Sequence, residues 1–221
     1  MAITPQGPGN APAGNKVAYR ASLVNRSHQI LKMGYDRLVG SKHWGSEEEV
    51  ITGNLTEAMQ KALEDVGAPR WAKNFWVDEE IRVNDGTREG KRRLRIDIQV
   101  IQHQHGPRPR FRFEAKRLHD STSRRDYLGE EGLGCFLDGR YAASDADAGM
   151  LGYVQVGLPD DHANGMADIF TSEASRYGVA KGGGWTKHGL SAGGLEIFVS
   201  VHVRGNALSD ITIFHTLLKF C

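Results

Sequence analysis

The sequence predicts an α/β fold: one mixed central β-sheet flanked by helices, with extra strands toward the C-terminal end. Three observations carry this. The hydrophobic period is close to 3.6 up to about residue 66 and changes to two at Phe75. Helical and strand-like segments follow one another with no internal repeat. The chain has 221 residues, 39% hydrophobic and 25% charged, an ordinary globular composition of one large domain or two small ones. The order helix, three strands, helix, strand, then further elements favours a single sandwich.

Residues 1–15 are rich in Gly, Pro, Ala and Asn without periodicity and read as a flexible arm, leaving 16–221 as one domain. Residues 16–39 form a first helix on Ala21, Val24, His28, Leu31 and Tyr35, with Gly34 weakening its end. Ser46 is placed to cap a second helix whose first turn holds Glu47, Glu48 and Glu49, where the helix dipole favours negative charge. Ile51, Leu55, Ala58, Met59, Ala62, Leu63 and Val66 form its apolar stripe, and Gly67 and Pro69 end it. Phe75–Val83 reads as a strand, followed by a turn at Asn84-Asp85-Gly86. Leu94, Ile96, Ile98 and Val100 alternate with Arg95, Asp97 and Gln99, giving a second strand with one buried face. After a loop at 103–109, Phe111, Phe113 and Ala115 alternate with Arg112, Glu114 and Lys116. Tyr127–Tyr141 reads as a helix interrupted by glycines, Met150–Leu158 as a strand and Asp161–Tyr177 as a helix. A loop with seven glycines spans 178–194. Strands at 195–204 and 211–220 follow.

No run approaches the roughly 18 apolar residues of a membrane helix, so no membrane association is expected. The first residues lack a basic stretch followed by an apolar one, so no signal peptide is expected. Cys135 and Cys221 are too few for a Cys-rich zinc set or a disulfide framework. A cytoplasmic location fits these features. Charge is segregated: residues 88–125 hold twelve Lys/Arg against four Asp/Glu, a net +8 in a chain whose total is +1. Such a stretch is the footprint of a polyanionic partner, because Lys and Arg displace counterions from phosphates. Within it Arg92, Arg93, Arg95, Arg110 and Arg112 are candidates for contacts to a nucleic-acid backbone.

The densest chemical signal is Asp97 on one strand and Glu114-x-Lys116 on the next. Residues i and i+2 of a strand share a face, so Glu114 and Lys116 point together, opposite Phe113 and Ala115. If the 103–109 loop makes the strands antiparallel neighbours, Asp97 comes beside Glu114. Two such carboxylates repel unless a divalent cation lies between them, and hard oxygen ligands select Mg²⁺ or Mn²⁺. Lys116 is then placed to orient a water or help deprotonate it. A metal and a positioned water are what phosphodiester hydrolysis requires.

These residues resemble the PD-(D/E)XK, or restriction-endonuclease-like, nuclease superfamily, in LRIDIQV around Asp97 and FRFEAKRL around Glu114 and Lys116. Ile96 stands where the namesake motif has Pro. The resemblance covers about residues 46–158 and implies a restriction-endonuclease-like sheet. It implies that Asp97 and Glu114 bind the metal, that the Ala115 carbonyl adds a ligand, that Lys116 is catalytic, and that a helical acid near residue 48 completes the site. Glu48 is three residues before Ile51 and seven before Leu55, on the inward face; Glu47 is second choice and Glu49 third. The implied activity is a Mg²⁺-dependent endonuclease acting on DNA rather than RNA, in restriction or another anti-phage setting, with a homodimer or a partner protein of a defence system. Ser200-x-His202-x-Arg204 on one strand, with His215 on the next, resembles the tail of some bacterial defence nucleases.

Other signals are weaker. Ser200, His202 and Arg204 form either a phosphate-contacting stripe or a polar outer strand face. Gly189-Leu190-Ser191-Ala192-Gly193 matches a nucleophile elbow in letters, but a strand, not a helix, follows the serine. GVAKGGGW lacks the phosphate-loop pattern and reads as a loop that closes over substrate. His103 and His105 lack acidic or thiol partners at zinc spacing. A second function class is a nuclease-like module that binds nucleic acid or assembles with a partner without catalysis.

Overall fold

The computed structural model describes residues 13–38, 45–83, 94–103, 108–190, 193–205 and 207–221. Helices α1 (Ala13–Leu38) and α2 (Glu48–Glu64) lead into a meander of β1 (Phe75–Arg82), β2 (Arg95–Gln102) and β3 (Arg110–Leu118). Short helices α3 (Ser123–Leu128) and α4 (Gly134–Leu137) precede β4 (Asp147–Val154). Then come α5 (Pro159–Ser172), β5 (Thr186–His188), β6 (Ile197–His202) and β7 (Ile211–Lys219). Among the described residues the strands form one seven-stranded mixed sheet in the order β1-β2-β3-β4-β7-β6-β5. The meander and the β7-β6-β5 side are antiparallel, whereas β3-β4 and β4-β7 are parallel.

Helices α1 and α2 bury one face of this sheet, packing Leu31, Ile51, Leu55 and Met59 on Val77, Val100, Phe111 and Phe113. Ile51, Leu55 and Met59 are fully buried, each contributing roughly 1.5–3 kcal/mol relative to an exposed side chain. The opposite face is covered by α3, α4 and α5, with Tyr127, Leu128, Phe136, Met166 and Phe170 on Leu118, Met150, Ile213 and Leu217. Among the described residues no helix is long and apolar enough to cross a membrane.

Several expectations change. Gly34 does not weaken the end of α1; it is where α1 meets α2, since a Cβ there would lie 2.4 Å from Met59 Cγ. Helix α1 begins at Ala13, inside the segment read as an arm. Ser46 does not cap α2; Glu47 stands at the N-cap, without a capping side-chain bond. Residues 127–141 are not one helix but the end of α3, turns and α4. At Gly132 a Cβ would lie 2.3 Å from the Tyr127 carbonyl oxygen, a closeness only glycine permits. Strand β5 lies inside the segment read as a glycine-rich loop. The turn at Asn84-Asp85-Gly86, His105 and Ser191 lie outside the described residues.

Candidate active site

Alternation places Asp97 and Glu114 on strands that pair in register, Ile98 with Phe113 and Gln99 with Arg112. Continued one step, that register sets Asp97 opposite Glu114. The ladder is not continued there. Instead the Ala115 N–H donates to Asp97 Oδ2 at 2.7 Å, and the Ala115 carbonyl accepts from Lys116 Nζ at 2.7 Å. Side chains thus take both backbone groups of Ala115 where β2 and β3 part, which is how buried main-chain polar groups stay satisfied.

Helix α2 supplies the third acid. Its start is docked at the carboxyl ends of β3 and β4: Gln155 Nε2 donates to the Ser46 carbonyl at 2.9 Å, and the Arg117 N–H to Glu48 Oε2 at 3.0 Å. Glu48 is therefore turned inward, while Glu47 pairs outward with Arg117 at 2.8 Å. Lys116 Nζ lies among the acids, 2.8 Å from Glu48 Oε1 and 3.1 Å from Glu114 Oε1. Glu114 Oε2 is buried and has no hydrogen-bond partner.

Burial sets the electrostatics. It raises the Asp97 carboxyl to about 6 against the opposing pull of Lys116 and the Ala115 N–H. Burial and then the neighbouring Asp97 hold Glu114 well above the ordinary carboxylate range. Burial alone would lower Lys116, but Glu114, Glu48 and Asp97 outweigh it and hold the ammonium above its usual value. Clustered carboxyls raised this way are a common mark of a functional site. Among the described residues no three His, Cys, Asp or Glu side chains are grouped as a metal site. The donor set nevertheless suits a hard cation: three carboxylates and a carbonyl, one carboxylate oxygen being buried without a partner.

Among the described residues, four arginines of the basic stretch pair with acids from elsewhere in the chain. Arg95 pairs with Glu80 at 2.7 Å, Arg112 with Asp145, Arg117 with Glu47 and Arg125 with Glu173 at 2.9 Å. Arg112 is half-buried and also donates to Gln99 Oε1 at 3.3 Å. Arg108 and Arg110 are exposed and have no ion pair among the described residues. Arg92 and Arg93 lie outside the described residues.

The expected surface stripe on β6 is an interior feature. His202 and Ser200 are fully buried, and Arg204 is 5% exposed; β6 pairs with β7 here, Ser200 beside Ile213 and His202 beside Ile211, and Phe170 packs on His202. His202 Nδ1–H donates to the Tyr177 carbonyl at 2.7 Å, so its Nε2 accepts from the Ser200 hydroxyl at 2.7 Å. Ser200 Oγ then accepts from His215 Nε2–H at 2.7 Å, and His215 Nδ1 accepts from the Tyr127 hydroxyl at 3.0 Å. Every ring nitrogen has a partner in the neutral state. Arg204 is turned inward onto the carbonyls of Ser209 at 2.6 Å and of Phe136 and Ala142 at 3.2 Å. Neither His202 nor Arg204 is presented to a phosphate.

Sequence reading missed Arg117 and Gln155 as the groups that fix Glu48 and its helix, and Tyr141, whose hydroxyl donates to the Arg95 carbonyl at 2.5 Å beside Asp97. Gln155 carried one usable signal: it directly follows an apolar strand, where the ends of parallel strands gather polar function. Comparison with protein-family models, curated proteins and solved structures gave no match.

Proposed function

We propose that this chain is a divalent-metal-dependent nuclease of restriction-endonuclease-like fold that hydrolyses phosphodiester bonds in DNA. The observation that supports it best is the meeting of Asp97, Glu114 and Glu48, from two strands and a helix, around Lys116 at the parting of β2 and β3. Mg²⁺ or Mn²⁺ would be held by Asp97, Glu114, Glu48 and the carbonyl of Ala115. When bound, it supplies positive charge to the phosphate and an acidified water.

The chain's own residues do the rest. The Arg117 N–H holds Glu48 in one orientation, and the Ala115 N–H does the same for Asp97. Lys116 carries its proton at Nζ and orients the attacking water or the phosphate oxygen by hydrogen bonding. Arg108 and Arg110, exposed at the start of β3, contact the nucleic-acid backbone. A setting in restriction or anti-phage defence belongs to the same proposal and draws on the resemblance around Asp97 and Glu114.

A non-catalytic nucleic-acid-binding module is the second reading, favoured by the way Lys116 already pairs with Glu48 and Glu114 without any added ion. Cleavage of supercoiled plasmid and of single-stranded DNA and RNA, with Mg²⁺, Mn²⁺ or EDTA, separates the two. The nuclease reading requires metal-dependent cleavage by the wild type and none by Glu114→Gln. Binding by both proteins with cleavage by neither would establish the module instead.

A further inference from the structure

Lys116 Nζ makes three contacts, to three of the four oxygen sources at the site: Glu48 Oε1 on α2, Glu114 Oε1 on β3 and the Ala115 carbonyl. An ammonium has three hydrogens, so these contacts use its whole donor capacity. Glu114 Oε2 is left buried and unpartnered. The lysine is thus fully satisfied, whereas Glu114 Oε2 accepts no hydrogen bond and the Glu114 carboxyl is left facing Asp97.

The same three oxygens belong to the donor set that the proposed nuclease reading assigns to the divalent ion. Magnesium and calcium draw their oxygen ligands to roughly 2.0–2.6 Å, and the ammonium sits 2.7 to 3.1 Å from these atoms. Each of these oxygens has a second lone pair, but an ammonium and a divalent ion held on the same three atoms would repel strongly in so buried a place, which favours one cation over both. Resting on that reading, we propose that Lys116 is a resident competitor for the metal: its ammonium holds the three oxygens until a divalent ion displaces it.

The arrangement supplies a reason for the exchange and a way out. A divalent ion can engage Glu114 Oε2, which the ammonium has no hydrogen left to serve. The Lys116 side chain is 17% exposed, so it can turn toward solvent without opening the core. Ion binding therefore releases the lysine beside the ion, and the group needed to orient water is free only in the loaded protein. The chain without its ion is latent.

The test uses the full-length wild type and an amine-acylating reagent, with modification of Lys116 and of exposed Lys187 read by peptide mass spectrometry. Calorimetry with Mn²⁺ establishes saturation. Losing hydrogen bonds to charged groups should accelerate Lys116 labelling about tenfold or more on saturation, with Lys187 unchanged. Lys116→Met should bind Mn²⁺ more tightly than wild type at the same pH. Mn²⁺ binding with no change in Lys116 labelling overturns the competition while leaving the metal site standing. Absence of Mn²⁺ binding to both proteins overturns the metal site itself, and the competition with it. If Lys116→Met does not fold, the wild-type labelling alone decides.

Discussion

Two buried polar clusters sit in the same sheet and are built on opposite terms. In the chain from Tyr127 through His215, Ser200 and His202 to the Tyr177 carbonyl, each hydrogen has one acceptor and each ring nitrogen one partner. Burial holds both histidines below their usual values, and hence neutral. Around Lys116 a buried carboxylate oxygen lacks a partner and two carboxyls are raised. A satisfied buried network specifies a structure; a frustrated one costs stability and is kept where chemistry needs it.

The sharpest break between the clusters is in activity. Glu114→Gln and Lys116→Ala should each lower plasmid cleavage by about 10²–10⁴-fold. In urea unfolding Glu114→Gln should leave the midpoint unchanged or higher, since a strained carboxylate is removed. The histidine chain should behave the other way. Ser200→Ala removes the hydroxyl both rings share, leaving two buried nitrogens unpaired. A loss of about 2–4 kcal/mol in urea unfolding follows, with cleavage per folded molecule unchanged. A Ser200→Ala protein of normal stability would show that the chain is not structural.

Acid titration sharpens the comparison further, because buried bases and buried acids act with opposite sign. His28, ringed by Phe111, Phe113 and Phe214, is lowered by burial from 6.5 to about 4. The unfolded chain takes up its proton first, so this contribution is present above pH 6.5 and lost as pH falls toward 4, by about 3 kcal/mol. Asp97, raised to about 6, has a contribution present below about 3.8 and lost as pH rises through 6. Equilibrium unfolding across this window should show His28→Leu flattening the acid limb and Asp97→Asn stabilising the protein above pH 6, by about 1–3 kcal/mol. Asp97→Asn with no gain above pH 6 would mean that Asp97 is not strained in the fold.

The smallest expected effect concerns the arginines. Arg110→Ala should reduce the salt dependence of DNA binding by about one unit of slope, and Arg95→Ala by less because Glu80 already holds it. Equal slopes would show that the ion pairs open on binding.

Asp97, Glu114 and Lys116 were legible because a period of two fixes which strand residues share a face, and Glu48 because a period of 3.6 does so for α2. The basic field was not. Glu80, Asp145 and Glu173 reach arginines 15 to 48 residues away, and local composition carries no trace of that. Ser200, His202 and His215 misled because polar strand residues usually face water; here α5 and Trp185 cover them. Strand β5 is three exposed residues with no alternation to detect.

The place of β7 in the sheet bears on how the chain reaches this structure. Strands β1 to β3 pair with sequence neighbours, whereas β7 enters between β4 and β6, joining β4 across all of α5 and two other strands. Loop-closure entropy must be met before such a pairing is rewarded, which makes non-local strands slow. The meander bearing Asp97 and Glu114 should therefore form before β7 docks between β4 and β6. Trp185, whose ring lies 4.4 Å from that of His215, is a built-in fluorophore that reports when it happens.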